Sequence, residues 1–419
     1  MVKLHRLWVA GAVALFASEG SWGQVRGDVA VPRSGIPVQL RPVEPASPAA
    51  ILYPLNDTGQ APTQCYGAGG SVAVSCSSPS ARALNDRQDG MIGRDVTHND
   101  GRDGRRGFSF TKISASGEPL GKEASSWACV RDNVTGLLWE NKTDDAGVHD
   151  KDNLYKVNGW TGDVAPLITA TNAEKLCGVS GWRLPTWFEL VGLIDYGAPS
   201  PPAIDTDWFV IGPVPAGYYS SIYWTGTPSA EVAGAGVYQH AVDFTFGYFS
   251  GTHQISDRRY VRLVNGTAAP IANRFRVSED GLAVTDGLLG LVWRRCLEGM
   301  TWSGTTCTGN PQGFIHEAAL THARTQGWRV PNVKELASIL DRGHASPGWD
   351  PVLFPGTPAL NAANVNQSGV RRPWTSTAAA FNATYVALTT GRDFRDTSNL
   401  SGIHHLRLVR DLTPARGVR

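Results

Sequence analysis

Apolar residues recur with helical spacing at two places in this chain. Trp187, Leu190, Val191 and Ile194 fall at i, i+3, i+4 and i+7, and Val333, Leu336, Ala337 and Leu340 repeat the spacing, so each set predicts a short helix with one buried face. Each run follows a proline, Pro185 or Pro331, which stops any helix before it. Thr186 or Asn332 then stands three residues ahead of Glu189 or Glu335, an arrangement in which cap and glutamate satisfy each other's backbone N–H groups. A second helix is predicted before each block, over Thr171–Cys177 and Glu317–Arg324. Elsewhere, as at Tyr238–Tyr248 and Arg258–Val264, short runs alternate or carry β-branched and aromatic residues between Gly and Asp, which predicts strands.

The two helices sit inside longer copies. Gly181–Leu190 is answered by Gly327–Leu336, 146 positions on, with Trp182, Arg183, Pro185 and Glu189 matched by Trp328, Arg329, Pro331 and Glu335. Val130–Trp139 is answered by Val284–Trp293, Asp195 by Asp341, Trp224–Thr227 by Trp374–Thr377, and Arg262–Val264 by Arg407–Val409. A period this long marks a duplicated domain rather than a solenoid unit. The copies are expected over 108–266 and 273–412.

What precedes them has three parts. Residues 1–23 carry Lys3 and Arg6, an apolar run from Leu7 to Ala17, and Ser21-Trp22-Gly23, the layout of a bacterial Sec-type signal peptide. That run is too short to span a bilayer, and no later stretch is apolar for as long, so no transmembrane segment is expected after signal removal. Residues 24–52 hold Pro32, Pro37, Pro42, Pro45 and Pro48 with few large apolar groups, an extended linker. Residues 53–107 form a leader rich in Gly, Asn and Asp. Its runs Asn85–Gly90 and Asn99–Gly104 admit a calcium reading, but they do not follow an EF-hand loop, and turn chemistry with positive-φ glycines is the favoured reading.

Six cysteines in an exported chain suggest disulfides, for which the count alone allows 15 pairings. Position narrows them. Cys65 and Cys76 enclose a Gly-rich loop, Cys296 and Cys307 enclose another short one, and Cys129 and Cys177 remain to tie the first copy. Metal thiolates are disfavoured, since there is neither Cys-x-x-Cys nor a nearby His pair.

The chain has 38 Lys and Arg against 37 Asp and Glu, and losing Lys3, Arg6 and Glu19 with the signal leaves 36 of each. That balance argues against a nucleic-acid partner. Charged residues are 18% of the chain, while 47 Gly, 26 Pro and 14 Trp suit a loop-rich extracellular fold.

As a set, Asp132-x-x-Thr135-Gly136-Leu137-x-Trp139, Trp182-Arg183-Leu184-Pro185-Thr186 with Glu189-Leu190, Trp224-Thr225 and Val261–Val264 resemble the C-terminal domain of Lcl-type collagen-like bacterial adhesins, a domain of unknown function. The leader also looks like one that often comes before such domains. The second copy departs in having Leu289 for Thr135, Asn332 for Thr186 and Ala323 for Cys177, which implies that its disulfide has moved to Cys296–Cys307. The family is similar at its Trp-Arg-Leu-Pro-Thr helix start to the sulfatase-modifying-factor class. The resemblance therefore implies an α+β fold: two tandem C-type-lectin-like domains with short antiparallel sheets, two helices each and long loops. It further implies surface attachment and glycan binding.

Catalytic motifs are missing. No cysteine follows Cys307 to supply a copper pair, and His316 and His322 are six residues apart, which puts them on different helix faces. His404 and His405 point to opposite faces of an expected strand. No cofactor or metal site is expected. The candidate ligand-binding residues are arginines beside aromatics: Arg258 and Arg259 near Tyr260, Arg371 and Arg372 before Trp374, and Arg392 and Arg395 around Phe394. Guanidinium forks fit sulfate or carboxylate, and aromatic faces stack on sugars. In the competing structural reading, Arg262 and Arg407 pair with carboxylates such as Asp195 and Asp341, and the repeated tryptophans are core. The function expected is a non-enzymatic, exported ligand-binding or adhesion protein, secreted, periplasmic or on the cell surface, recognising acidic glycans. The alternative is a structural subunit of a pilus or envelope complex with a protein partner, and the third is an enzyme of the sulfatase-modifying-factor-like fold.

Overall fold

The computed structural model describes residues 54–157, 163–214, 221–229, 237–247, 252–268, 273–341, 348–358, 373–378, 385–387, 396–398 and 400–412. These belong to one compact unit. The leader begins with a hairpin, β1 (Cys65–Gly67) and β2 (Ser71–Val74), closed by the Cys65–Cys76 disulfide. Ser78 then caps α1 (Pro79–Leu84), and a turn at Asp89–Met91 leads to the short α2 (Arg94–Thr97).

In the first repeat, β3 (Phe110–Ile113), β4 (Pro119–Leu120), β5 (Cys129–Asp132) and β6 (Leu138–Glu140) are followed by α3 (Ala165–Glu174), α4 (Trp187–Val191), β7 (Ile222–Pro228), β8 (Tyr238–Asp243), β9 (Thr252–Gln254) and β10 (Val264–Asn265). They form an antiparallel sheet in the order β10-β6-β5-β3-β4 and a second one in the order β7-β8-β9. The second repeat runs β11 (Phe275–Val277), β12 (Ala283–Asp286), β13 (Leu291–Arg294), the hairpin β14 (Thr301–Trp302) and β15 (Cys307–Thr308), α5 (His316–Thr325), α6 (Val333–Ser338), the pair β16 (Tyr385–Ala387) and β17 (Asp396–Ser398), and β18 (Val409–Asp411). Its main sheet, β11-β12-β13-β18, matches the first in register: Val264 faces Trp139 as Val409 faces Trp293. The architecture is α+β with small antiparallel sheets.

The repeated motifs are explained by these contacts. Asp132 and Asp286 each accept backbone N–H groups two and three residues on, which shapes the turn between paired strands. Both capping boxes form, at Thr186 with Glu189 and at Asn332 with Glu335. The arginine of each block grips the same glutamate through two hydrogen bonds, Arg183 to Glu189 at 2.8 and 2.7 Å and Arg329 to Glu335 at 2.6 and 2.7 Å. One carboxylate thus caps a helix and anchors a guanidinium, so the block braces each repeat.

All three disulfides have the pairing read from position. Two expectations are corrected. The first helix starts at Ala165 rather than Thr171, because Pro166 is tolerated in a first turn, and it stops where Lys175 turns left-handed. Arg258–Val264 is not a strand along its length. Arg259 bridges to Tyr155 and Tyr260 to Tyr223, and only Val264 joins the main sheet.

The hydrophobic core is shared. One cluster takes Trp187, Leu190, Val191 and Ile194 from the first repeat and Val333, Leu336, Ala337 and Ile339 from the second, so the two capped helices are buried against each other's repeats. Fully burying a large apolar side chain contributes roughly 1.5–3 kcal/mol, so neither matching face is stable exposed. A second cluster joins Tyr66 and Leu84 of the leader to Phe314, Ala319, Leu320, Ala323 and Trp374 of the second repeat.

Candidate functional site

The densest charged group lies where leader and repeats meet. Asp57, Asp89 and Asp95 are buried, and one oxygen from each lies within 4.8 Å of the others. Thr58 has a single hydroxyl proton, yet its Oγ1 is 2.7 Å from Asp89 Oδ2 and 3.0 Å from Asp95 Oδ2. It donates to one of them, so the other contact requires a protonated carboxyl. Burial and the charge of Asp57 push Asp89 up to about 7, and burial raises Asp57 and Asp95 as well. Thr377 of the second repeat donates to Asp89 at 2.7 Å while accepting from Val333 N at 2.8 Å.

The cation of this joint is Lys334, the second residue of α6. Its Nζ donates to Asp57 O at 2.6 Å and to Gly192 O at 2.9 Å, and sits 4.6 Å from the Phe108 ring centre. Burial lowers its pKa to about 8, against the opposing pull of the aspartates. Three carboxylates are a set that a hard cation could use. Here, however, their oxygens already receive the N–H groups of Thr58, Gly59, Gln60 and Asp95, with an ammonium nearby. Calcium takes six to eight oxygens, and this donor-filled arrangement does not fit it. The expectation that Asn85–Gly90 is turn chemistry is corrected for Asp89, whose carboxyl is structural; Gly101 and Gly104 do adopt positive φ, at 67° and 154°.

Arginines that read as one class in the sequence divide into several. Arg262 is buried and donates to Glu140 O at 2.6 Å and Val210 O at 2.5 Å, and Arg407 donates to Arg294 O and Arg295 O at 2.9 and 2.7 Å. Neither is bonded to Asp195 or Asp341, which corrects the expected pairing; Asp195 instead binds Arg105 at 3.0 Å. Backbone carbonyls left open at the sheet ends attract these guanidiniums, whose planar forks reach two at once. Arg258 is exposed and Arg259 is tied to Asp257 at 3.2 Å. Trp374 is fully buried, its Nε1 bonded to Phe314 O, so its ring offers no ligand face. Arg371, Arg372, Arg392 and Arg395 lie outside the described residues. His316 and His322 face different partners, Thr375 O and Glu298.

A further arginine-aromatic group sits on the second repeat. The guanidinium carbons of Arg294 and Arg410 are 5.2 and 5.0 Å from the ring centre of half-buried Trp328. Arg294 is held by Glu298 at 3.1 Å and Gln326 at 3.2 Å, while Arg410 is exposed. In the first repeat the matching tryptophan, Trp182, is buried and the flanking positions are Glu140 and Asn265. Aligning the two copies would have marked both this group and Lys334, which stands where the first copy has Phe188.

Two copies of one disulfide-braced α+β domain, carrying the same capped helix and the same arginine-glutamate clasp, define the class. The chain belongs to the Lcl C-terminal domain family, whose model matches residues 128–265 and 282–410. No curated protein and no solved structure matches the chain. Among the described residues no helix is long and apolar enough to cross a membrane.

Proposed function

We propose that the protein is a non-enzymatic, exported recognition module that binds acidic ligands such as sulfated glycans through its second repeat. The observation that carries this reading is the pairing of Arg294 and Arg410 with the Trp328 ring. Two guanidiniums gathered at a partly exposed indole offer charge-assisted hydrogen bonds to a sulfate or carboxylate group. Membership of an adhesin-type family and three disulfides support an extracellular setting. The test is retention on a sulfated-glycan column at low salt, where exposed charges are least screened. Arg410→Ala and Trp328→Ala should each elute markedly earlier than wild type, with Arg258→Ala unchanged. If the wild-type protein runs through at low salt, the reading fails.

A further inference from the structure

The leader precedes the first repeat in the chain, yet it is fastened to the second by a series of matched contacts. The buried Gln60 side chain exchanges two hydrogen bonds with the backbone of Ala378, Nε2 to O at 2.8 Å and N to Oε1 at 3.0 Å. Tyr66 Oη donates to Thr377 O at 2.8 Å, and Asp89 accepts from Thr377 Oγ1 at 2.7 Å. Asn85 donates to Leu320 O at 3.0 Å, and Leu84 packs in one cluster with Leu320 and Ala323 of α5.

The first repeat has the same fold and follows the leader directly in sequence, and it meets the leader through Asn56 on Asp132 and Tyr196 N on Thr58 O, but it lacks these groups. The counterpart of Ala378 is Pro228, which has no N–H for Gln60 to accept. The counterpart of Lys334 is Phe188, which cannot donate to the Asp57 carbonyl. Each difference removes one leader contact, and both point the same way.

We infer that the second repeat is a docking domain for a folded, disulfide-closed polypeptide segment, that the leader is the segment it holds in cis, and that Ala378 and Lys334 single out the second repeat for these contacts. The chemistry recognised is an amide side chain on the backbone of residue 378, a carboxylate on Thr377 and an apolar residue against the end of α5. Trp328 packs against the same apolar cluster, but neither Arg294 nor Arg410 takes part in the leader contacts named here.

Hydrogen exchange on the full-length chain tests the inference. Gln60→Ala changes only the leader side of the contact, and Ala378→Pro gives the second repeat the first repeat's residue. Each should speed exchange of leader amides between residues 58 and 95 by roughly tenfold or more, with amides of Val130 and Trp139 in the first repeat unchanged. The double variant should go little beyond either single one, since both remove the same contact. Pro228→Ala should leave the leader's exchange as it is. The inference is overturned if the leader's exchange is unmoved by Gln60→Ala, if the two effects simply multiply, or if exchange rises by the same factor throughout all three segments.

Discussion

The ammonium of Lys334 donates to the carbonyl of Gly192, 142 positions earlier, at 2.9 Å. The same nitrogen reaches Asp57 O at 2.6 Å, so one side chain of the second repeat joins the end of the first repeat's capped helix to the leader. In a buried setting such a donor fixes relative position, because any shift leaves two carbonyls and a charge without partners.

Lys334→Met should therefore destabilise the protein by about 2–4 kcal/mol, the cost of orphaning buried acceptors and leaving the aspartates with no nearby cation. Urea denaturation reads it as a lower midpoint. A midpoint equal to wild type would mean that the joint contributes nothing net.

The pH dependence has a defined sign. Asp89 titrates near 7 in the fold against an ordinary 3.8, so its stabilising contribution is full below about 3.8 and is lost as pH rises through 7. His316, buried and lowered to about 4, works in the opposite direction: its contribution is present above 6.5 and is lost as pH falls through 4. Asp89→Asn should make the slope of stability against pH between 4 and 7 more positive, and His316→Gln should make it more negative, as followed by melting temperature across buffers.

The two arginine-glutamate clasps differ in burial. The Arg329 side chain is 2% exposed and that of Arg183 30%. Glu335→Ala should cost about 3 kcal/mol, because it leaves a buried guanidinium with only Asp411. Glu189→Ala should cost about 1–2 kcal/mol, largely the capping box. Thermal melts of the pair decide it, and equal losses would contradict the ranking.

Among the disulfides, Cys129–Cys177 spans 48 positions and each of the others spans 11. On the chain-entropy account, removing the long one costs about 4 kcal/mol and either short one about 3 kcal/mol. Paired Cys→Ser variants compared by denaturant midpoint would show this order. The short bridges proving more important would mean that native packing, rather than loop closure, governs them.

The parts of this protein legible in its sequence are those carried by neighbours. Cap and glutamate are three positions apart, the apolar face of each helix repeats every third or fourth residue, and the short cysteine loops close on themselves. Duplication was legible too, since Gly181–Leu190 and Gly327–Leu336 are nearly the same words. Tertiary structure alone decided what each exposed-looking group does. Trp374 reads like a ligand platform beside two arginines, and it is buried under Phe314 and His316. Arg262 and Arg407 look like ion-pair partners, and they close sheet ends by binding carbonyls. Asp57, Asp89, Asp95 and Lys334 are ordinary polar residues along the chain, drawn from segments up to 277 positions apart. Their protonation and their grip depend on the water they lose and the groups they meet. Both are set by how the leader packs on the second repeat, and no local spacing carries that information.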